Sequence, residues 1–271
     1  MTLLQTLLIA IIQGITELFP ISSVAHAVLT PYLFHWDLEP EFLKEHFLPF
    51  VVALHLGTAV ALLIYFWRDW FDFARSVFDH RADVAQRELL LVIIGTVPAA
   101  IIGFVLEKKL RALFPSVTSA AFFLVVNGVI LFLGERWRGR GEKPLAELGY
   151  VQALLVGLAQ SLALVPGFSR SGASMVAGFW AGLTHEASAR YSMLLATPII
   201  AGASILELPK LVHGADAGML ETAALGGLVA GIVAYVSVWA LMAWFKRHEI
   251  NAMQPFAIYC WVVGALVLAI P

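Results

Sequence analysis

The sequence predicts an all-helical protein that crosses a membrane several times, and three observations lead to this fold class. First, 60% of the 271 residues are hydrophobic and only 13% are charged. With a mean hydropathy of +0.85, the chain lacks the polar residues needed to cover a water-soluble globule. Second, its apolar residues form runs of about 20, long enough for a helix to cross a bilayer. Third, two polar, proline-containing stretches interrupt the apolar sequence, and polar groups at bilayer depth are kept mainly for function.

The apolar runs define the predicted crossing helices. Each run is predicted to be a helix, because an open strand would leave backbone groups unpaired in lipid. The six runs are residues 50–67, 89–106, 117–133, 191–208, 223–245 and 255–270. The opening run 1–12 has no basic start, so we expect it to be retained rather than removed as a secretion signal. The single cysteine, Cys260, forms no intramolecular disulfide, and a net charge of −2 gives no footprint for nucleic acid.

Basic residues predict how the chain is oriented. If each run crosses once, the loops at 67–88 and 134–149 share a side of the membrane. Each of them carries four basic residues, against three in the loop between them. The positive-inside rule therefore places both loops in the cytoplasm. Lys246 and Arg247 then also fall inside, and the loop at 209–222 falls outside.

The chain also looks like two related halves. Pro20-Ile-Ser-Ser23 aligns with Pro166-Gly-Phe-Ser169, and similar apolar runs follow each stretch. We therefore expect a single integral membrane domain over 1–271, with a first repeat over about 1–140 and a second over about 141–271. If the first repeat crosses the membrane an odd number of times, the second repeat is inserted upside down. This inverted arrangement brings two broken helices together near the membrane midplane.

Each aligned stretch is predicted to break a helix. Pro20 and Pro166 remove a backbone donor and clash with the preceding turn, while Gly167 and Gly172 relax the backbone. The serines that follow each proline are typical of residues that begin a helix. Two helix N-termini that face a common cavity would offer free N–H groups and positive dipole ends to a phosphate.

Arg170 is the strongest candidate for binding an anion. Its guanidinium lies between Ser169 and Ser171 at a predicted helix start, and it can hold two phosphate oxygens at once, which lysine cannot. The structural alternative is an arginine that reaches to the membrane surface or pairs with an acid. The flanking glycine, proline and serines favour the anion-binding interpretation.

The first stretch supplies candidates for acid–base and nucleophilic chemistry. Glu17 is a candidate general acid or base, a metal ligand, or the structural partner of a buried arginine, of which Arg170 is the first choice. Ser22 and Ser23 could simply cap a helix. His26 lies three residues beyond Ser23, on the same predicted helical face, and could act as its base or as a nucleophile itself.

Two further features are left open or assigned to structure. His55 could line the same cavity or form a hydrogen bond with a neighbouring helix, and the sequence does not separate these alternatives. Glu186 and Arg190 are one helical turn apart, and we expect them to form a pair at the membrane interface.

These stretches resemble a known family. The strings Q-G-I-T-E-L-F-P-I-S-S-V-A-H, P-G-F-S-R-S-G-A and P-F-A-I-Y resemble the undecaprenyl-diphosphate phosphatases of bacteria, the bacitracin-resistance family. The likeness extends along the chain through A-L-H-L-G-T, T-V-P-A-A and A-T-P-I-I-A-G-A-S. Two long motifs in the right order and at the right separation make the resemblance highly specific.

The resemblance implies an enzyme of the bacterial inner membrane with its active site facing the periplasm. Its implied reaction hydrolyses undecaprenyl diphosphate to undecaprenyl phosphate and inorganic phosphate, which recycles the lipid carrier for peptidoglycan and other envelope polymers. The implied fold is an inverted repeat of helices with two re-entrant helix-loop-helix elements. The resemblance further implies a divalent cation, Mg²⁺ or Ca²⁺, and a homodimer.

The resemblance also assigns residues by position. The catalytic positions are Glu17, Ser23, His26 and Arg170, and Glu17 is the expected metal ligand. The substrate-binding positions are Gln13, Ser22, Ser169, Ser171 and Gly172. Three residues depart from the family pattern, since Gln13 replaces a frequent glutamate, Val24 the usual threonine or serine, and His55 a common glutamine. These departures leave open the hydrogen bonding of the cavity and the preferred length of the lipid.

The predicted mechanism leaves the nucleophile open. We expect Arg170, the helix N-termini and the cation to hold the diphosphate, while Ser23, His26 or a water molecule attacks the terminal phosphorus. Glu17 and His26 would move protons. The main alternative is a transporter or flippase of polyprenyl phosphate, because inverted repeats with broken helices are typical of transporters. A carrier has no need of Ser23 and His26 beside Glu17, and this favours the enzyme.

Overall fold

Helices make up almost all of the described structure. It is a computed structural model that describes residues 1–38, 42, 46–79, 83–111, 116–139, 141–214, 217–248 and 250–270. Within these ranges the only extended pairing is one bridge between Lys143 and Leu183. The predicted all-helical fold is confirmed. Arg81 and Arg140, which contribute to the loop charges counted above, lie outside the described residues.

The described residues contain eleven α-helices. In chain order they are α1 (Leu3–Thr16), α2 (Ser23–Leu33), α3 (Phe47–Tyr65), α4 (Trp67–Ser76), α5 (Asp83–Arg111), α6 (Val117–Arg136), α7 (Tyr150–Gln160), α8 (Arg170–Trp180), α9 (His185–Gly214), α10 (Ala217–Arg247) and α11 (Gln254–Ala269). Two short 3₁₀ turns, Leu145–Glu147 and Ser161–Leu164, precede and follow α7.

Five helices of the described chain are long and apolar enough to cross a membrane. They are α3, α5, α6, α9 and α10, and they contain the first five predicted runs almost entirely. The sixth run forms α11, which has 16 residues. At about 1.5 Å per residue, α11 is about 24 Å long, shorter than a hydrocarbon core of about 30 Å. Its crossing of the membrane stays a prediction.

The chain breaks its helices at both predicted positions. The first loop, residues 17–22, separates α1 from α2, and the second loop, residues 165–169, lies between the 3₁₀ turn and α8. Gly167 has φ +111°, a left-handed conformation that favours glycine. Ser22 also has a positive φ of 67°, which is uncommon for a residue with a side chain. That these pairs of helices are re-entrant stays a prediction.

The two halves interlock through close helix contacts. α1 packs on α10 of the second half, and α7 packs on α5 of the first. Glycines allow the helix backbones to touch, since a Cβ added at Gly57 of α3 would lie 1.8 Å from Gly227 O of α10. A Cβ added at Gly157 of α7 would lie 2.4 Å from Gly95 O of α5. In each half, then, one helix packs against a helix of the other half, which fits two related repeats. That the second repeat is inverted stays a prediction.

The two loops that were predicted to lie on the same side of the membrane contact each other at one end of the molecule. Arg87 donates hydrogen bonds to Ala146 O at 2.6 Å and to Leu148 O at 2.9 Å, which links the loops 67–88 and 134–149 directly. Glu135, near the end of α6, accepts from the backbone of Met253 and contacts His185 at the start of α9. We call this end of the molecule the basic face.

The expected pair of Glu186 and Arg190 is wrong. Arg190 binds Asp69 of α4 and, at 2.7 Å, Glu88 of α5. Glu186 instead contacts Lys246 of α10 at 3.2 Å. The two side chains project from α9 toward different neighbouring helices, and those helices supply oppositely charged partners. Arg190 therefore ties α4, α5 and α9 together at the basic face.

Candidate active site

The two loops and three spanning helices enclose a cavity of about 240 Å³, which we call the polar cavity. Its polar lining residues are Thr16, Glu17, Ser22, Ser23, His55, Gln160, Ser169 and Arg170. The rest of its wall is apolar, and includes residues of α3, α5 and α9. A larger groove of about 700 Å³ between α3, α9 and α10 is almost wholly apolar, and among its described lining residues only Tyr235 carries a polar side-chain group.

Glu17 and Arg170 meet in the lining of the polar cavity, although 153 positions separate them in the chain. Arg170 Nη2 donates to Glu17 Oε1 at 3.2 Å; the Glu17 side chain is buried, with 6% of its surface exposed, and that of Arg170 is partly buried, with 11% exposed. The predicted meeting of the two broken stretches is confirmed. Arg170 Nη1 donates to Ser192 O at 2.9 Å, which anchors the guanidinium to α9. Its Nε has no partner among the described residues.

The other carboxylate oxygen of Glu17 collects three contacts. Ser23 Oγ donates to Glu17 Oε2 at 2.6 Å, and His55 Nε2 lies 3.0 Å from the same oxygen. Gln13 Nε2 donates to it more weakly, at 3.4 Å. A serine hydroxyl this close to a buried carboxylate has the arrangement of a nucleophile beside its base.

His55 lines the polar cavity, so the first of its two possible roles is confirmed. Its Nε2 is 3.3 Å from Ser23 Oγ as well as close to Glu17. Its Nδ1 lies 2.7 Å from Val51 O, one turn earlier in α3. The ring is therefore held by its own helix and directed at the loop residues.

His26 does not pair with Ser23, and that part of the prediction is wrong. Its Nδ1 lies 2.7 Å from Ser22 O, and its Nε2 lies 2.8 Å from the Tyr259 hydroxyl of α11. Ser23 is the first residue of α2, and its side chain turns back to the carboxylate that ends α1. Sharing a helical face was therefore not enough to bring the two side chains together. A catalytic role for His26 stays a prediction.

The second loop begins α8 in the predicted way. Ser169 caps the helix, since its Oγ accepts from Gly172 N at 3.1 Å. Ser171 Oγ donates to Phe19 O of the first loop at 3.1 Å. Ser22 caps α2 with a longer bond, 3.4 Å from Ala25 N. Both predicted helix starts thus lie beside the polar cavity.

The substrate-binding residues expected from the resemblance divide into two groups. Ser22 and Ser169 line the polar cavity. The lining does not include Gln13, Ser171 or Gly172. Gln13 forms a hydrogen bond with Glu17, which lines the cavity. Ser171 forms a hydrogen bond with the backbone of the first loop. Direct contact of these three residues with a substrate stays a prediction.

Asn127 is a residue of the site that the sequence reasoning missed. Its Nδ2 donates to Pro20 O at 2.9 Å, and its Oδ1 accepts from Ser169 N at 3.0 Å. One buried amide of α6 therefore bridges both loops. The signal that could have revealed it is a lone asparagine inside an apolar run, because such residues are rare and usually partnered in membranes.

The donor set of the polar cavity does not fit a divalent cation held by the protein alone. The described residues contain no group of three or more histidine, cysteine, aspartate or glutamate side chains that could hold a metal. Among the described lining residues Glu17 is the only carboxylate, and both of its oxygens already accept hydrogen bonds. Mg²⁺ and Ca²⁺ require six or more oxygen ligands.

Comparison with known proteins identifies relatives along nearly the whole chain. The family described as "Bacitracin resistance protein BacA" matches residues 6–266. The "Undecaprenyl-diphosphatase 2" of Oenococcus oeni is 50% identical over 269 residues, which cover 99% of this chain and 98% of the relative. The "Undecaprenyl-diphosphatase" of Granulibacter bethesdensis is 46% identical, with coverages of 99% and 97%. That of Acidiphilium cryptum is also 46% identical, with coverages of 99% and 98%.

Proposed function

The chain belongs to the bacitracin resistance protein BacA family, and we propose that its polar cavity hydrolyses undecaprenyl diphosphate to undecaprenyl phosphate and inorganic phosphate. It is a membrane enzyme, an undecaprenyl-diphosphatase, and not merely a carrier. The observation that carries the proposal is the 2.6 Å hydrogen bond from Ser23 Oγ to Glu17 Oε2. The same carboxylate accepts a hydrogen bond from Arg170 of the helix that follows the second loop. One cavity therefore contains a nucleophile, Ser23, a base, Glu17, and a positively charged side chain that can bind a phosphate, Arg170.

The polar cavity supplies what a lipid diphosphate needs for binding. Arg170 lines the cavity and offers its guanidinium to the phosphate oxygens. The caps of α2 and α8, Ser22 and Ser169, both line the cavity, and the two helix N-termini would add N–H groups and positive dipole ends for the phosphates. The apolar wall receives the first units of the prenyl chain, with residues that include Leu48, Val52, Phe168, Ile199 and Ala203.

Ser23 is the proposed nucleophile. Its proton passes to Glu17 as the Oγ–P bond forms and the bridging O–P bond breaks, which releases undecaprenyl phosphate. Water then hydrolyses the phosphoserine. Phosphoryl transfer needs mainly positioning and charge neutralisation, and Arg170 provides both. His26 is the weaker candidate, because its Nε2 is engaged by Tyr259.

The divalent cation is proposed to arrive with the substrate. Mg²⁺ in phosphoryl-transfer sites is usually bound by substrate phosphates, water and one or two carboxylates. Since Glu17 is the one carboxylate among the described lining residues, most ligands of the cation would come from the substrate phosphates and water. Calorimetric titration of the substrate-free protein with Mg²⁺ should then show no saturable binding, and a tight stoichiometric site would refute this proposal.

The polar cavity is proposed to open toward the periplasm, with the basic face in the cytoplasm of a bacterial inner membrane. The chain is a multi-pass membrane protein. The support for its orientation comes from the positions of the lining residues. α3 contributes Val51 and Val52 from its half away from the basic face, and α5 and α9 likewise contribute Ala99 and Ile200. The homodimer stays a proposal.

Phosphate release from undecaprenyl diphosphate by the purified protein in detergent tests the proposed function. Wild type should release phosphate, while Ser23→Ala and Arg170→Ala should each lose at least about 100-fold in turnover. Thr222→Ala and Arg75→Ala are matched controls, because neither residue lines the cavity; Thr222 is half-buried and Arg75 is exposed. A pure carrier would release no phosphate, and near-normal turnover of both cavity variants would end the proposed mechanism.

A further inference from the structure

One face of the short helix α4 is packed against the rest of the protein. Phe73 and Ser76 are buried, and Asp69 binds Arg190 of α9. Arg190 also binds Glu88 at the start of α5, at 2.7 Å. These contacts hold α4 along one side only, which leaves its other faces to be covered by something outside the chain or by water.

The contacts of Arg190 also define the depth of α4 relative to the membrane. Glu88 directly precedes the apolar run 89–106, and Arg190 directly precedes the apolar run 191–208. Both charged side chains therefore lie where spanning helices leave the hydrocarbon, and α4 lies beside them. With 10 residues, four of them charged, α4 is about 15 Å long and cannot cross a membrane itself.

A second face of α4 exposes aromatic side chains. Trp67 is 57% exposed and Phe71 is 61% exposed. Residues four apart lie on the same face of a helix, so the two rings form one apolar surface, which we call the aromatic face. Ile64, which is exposed in the last turn of α3, extends the outward-facing surface of that spanning helix to Trp67. An exposed apolar surface marks a membrane or protein contact, and tryptophan is enriched where a membrane meets water.

A third face of α4 carries charge. Arg68, Asp72 and Arg75 are all exposed, and we call them the charged face. Arg75 lies 3.5 Å from Asp79, a pair at the surface. The Arg68 guanidinium lies over the Trp67 ring, 5.5 Å from its centroid, and has no acidic partner among the described residues. A cation that can bind an anion therefore adjoins the aromatic face.

We propose that α4 is an interfacial helix that binds phospholipid of the leaflet at the basic face. Trp67 and Phe71 lie between the headgroups and the acyl chains, and the Arg68 guanidinium binds a lipid phosphate. A helix with an apolar face beside a charged face lies in the plane of the membrane interface. An arginine there buries its aliphatic stem and extends its charged end to the headgroups.

The depth of α4 favours lipid over a second protein as the cover of the aromatic face. Its aromatic face begins where the outward surface of α3 ends, and that surface is exposed to lipid in a multi-pass membrane protein. The inference goes beyond the proposed function. It holds whichever side of the membrane the basic face occupies.

Spin labelling of the full-length chain in vesicles of phosphatidylcholine and phosphatidylglycerol tests the proposal. With Cys260→Ala as background, a nitroxide is attached to one introduced cysteine at a time. Collisions are measured with oxygen, which concentrates in hydrocarbon, and with a nickel chelate, which stays in water. The labelled variants are Trp67→Cys and Phe71→Cys for the aromatic face, and Arg68→Cys, Asp72→Cys and Arg75→Cys as matched controls on the charged face.

Labels at 67 and 71 should be reached by oxygen and lose most collisions with the nickel chelate, while labels at 68, 72 and 75 should be reached by the chelate. The ratio of the two accessibilities should therefore rise and fall with the period of the helix. Equal access of the nickel chelate to both faces would place α4 in water and overturn the inference. Low access of both reagents to 67 and 71 would show a cover of protein, such as a second copy of the chain, and would also overturn it.

A second measurement tests the contact between Arg68 and phosphate. Arg68→Glu puts a carboxylate beside the lipid phosphates, so it should lower the ratio of oxygen to nickel access of the label at 71. Arg68→Lys keeps the positive charge and should leave that ratio as it is. An unchanged ratio in Arg68→Glu would overturn the assigned phosphate contact.

Discussion

At the scale of the residue, Arg170 combines two roles in one planar group. One nitrogen is fixed to the α9 backbone at Ser192, a second is paired with Glu17, and the third has no partner among the described residues. The fixed contacts orient the group before a phosphate arrives. Orientation in advance lowers the entropy lost when the substrate binds.

Arg170→Lys tests whether this shape matters beyond the positive charge. Lysine keeps the charge, but as a point charge on a flexible stem it cannot make the backbone contact, the Glu17 contact and a phosphate contact together. We expect kcat/KM for phosphate release to fall by roughly 10- to 100-fold, while Arg75→Lys, at an exposed position of α4, should leave it unchanged. Unchanged kcat/KM in Arg170→Lys would mean that charge alone suffices.

At the scale of the element, the two loops are held together by groups outside the catalytic set. Asn127 of α6 reaches both loops, and Ser171 adds a direct bond from the second loop to the first. Each loop thus pairs some of its buried backbone groups with side chains from elsewhere in the chain. The geometry between Glu17 and Arg170 depends on these bridges.

Asn127→Ala should weaken the connection between the two loops, and with it both the stability of the protein and its activity. It leaves Pro20 O and Ser169 N without a partner in a buried place, and each unsatisfied group costs about 1–3 kcal/mol. We expect a lower unfolding temperature in detergent together with a loss of phosphate release. Val129→Ala removes a similar volume from the same helix at a position that is 40% exposed, and it should be nearly neutral. Equal stability of the two variants would show that the bridge contributes nothing.

Helix contacts through glycine give a second prediction at this scale. A Cβ at Gly57 would meet the backbone oxygen of Gly227 at 1.8 Å, so Gly57→Ala must push α3 away from α10, at a cost of about 1–3 kcal/mol. A Cβ at Gly202 of α9 meets nothing within 4 Å. Thermal unfolding in detergent should therefore show a lower midpoint for Gly57→Ala only. An equal midpoint for the two variants would contradict the close packing.

The sequence predicted the helices and their breaks better than it predicted which side chains contact each other. The helix breaks and the meeting of Glu17 with Arg170 followed from prolines and from polar groups that membrane burial forces together. Which histidine faces Ser23 depends on how α3 and α2 are rotated against α1, and apolar periodicity alone does not determine that rotation. For the same reason Asn127, a residue of an otherwise apolar helix, was missed.

At the scale of the whole molecule, the distribution of polar contacts supports one orientation. On the basic face Glu135 joins the end of α6 to the starts of α9 and α11, and Arg190 joins α9 to the start of α5. Arg87 joins the start of α5 to the loop before α7. The polar cavity lies in the other half of the three spanning helices that line it. A lipid diphosphate would therefore enter from the side opposite the basic residues.

Cysteine labelling tests this orientation. With Cys260 replaced by alanine, single cysteines are introduced as Arg75→Cys in α4 and His213→Cys at the end of α9, since both native side chains are exposed. A maleimide that cannot cross the inner membrane should label position 213 in intact cells with a permeabilised outer membrane, and should label position 75 only after lysis. The reason is that α9 carries the chain from the basic face to the opposite side. Labelling of both positions in intact cells would contradict a crossing by α9, and the reversed pattern would put the polar cavity nearer the cytoplasm.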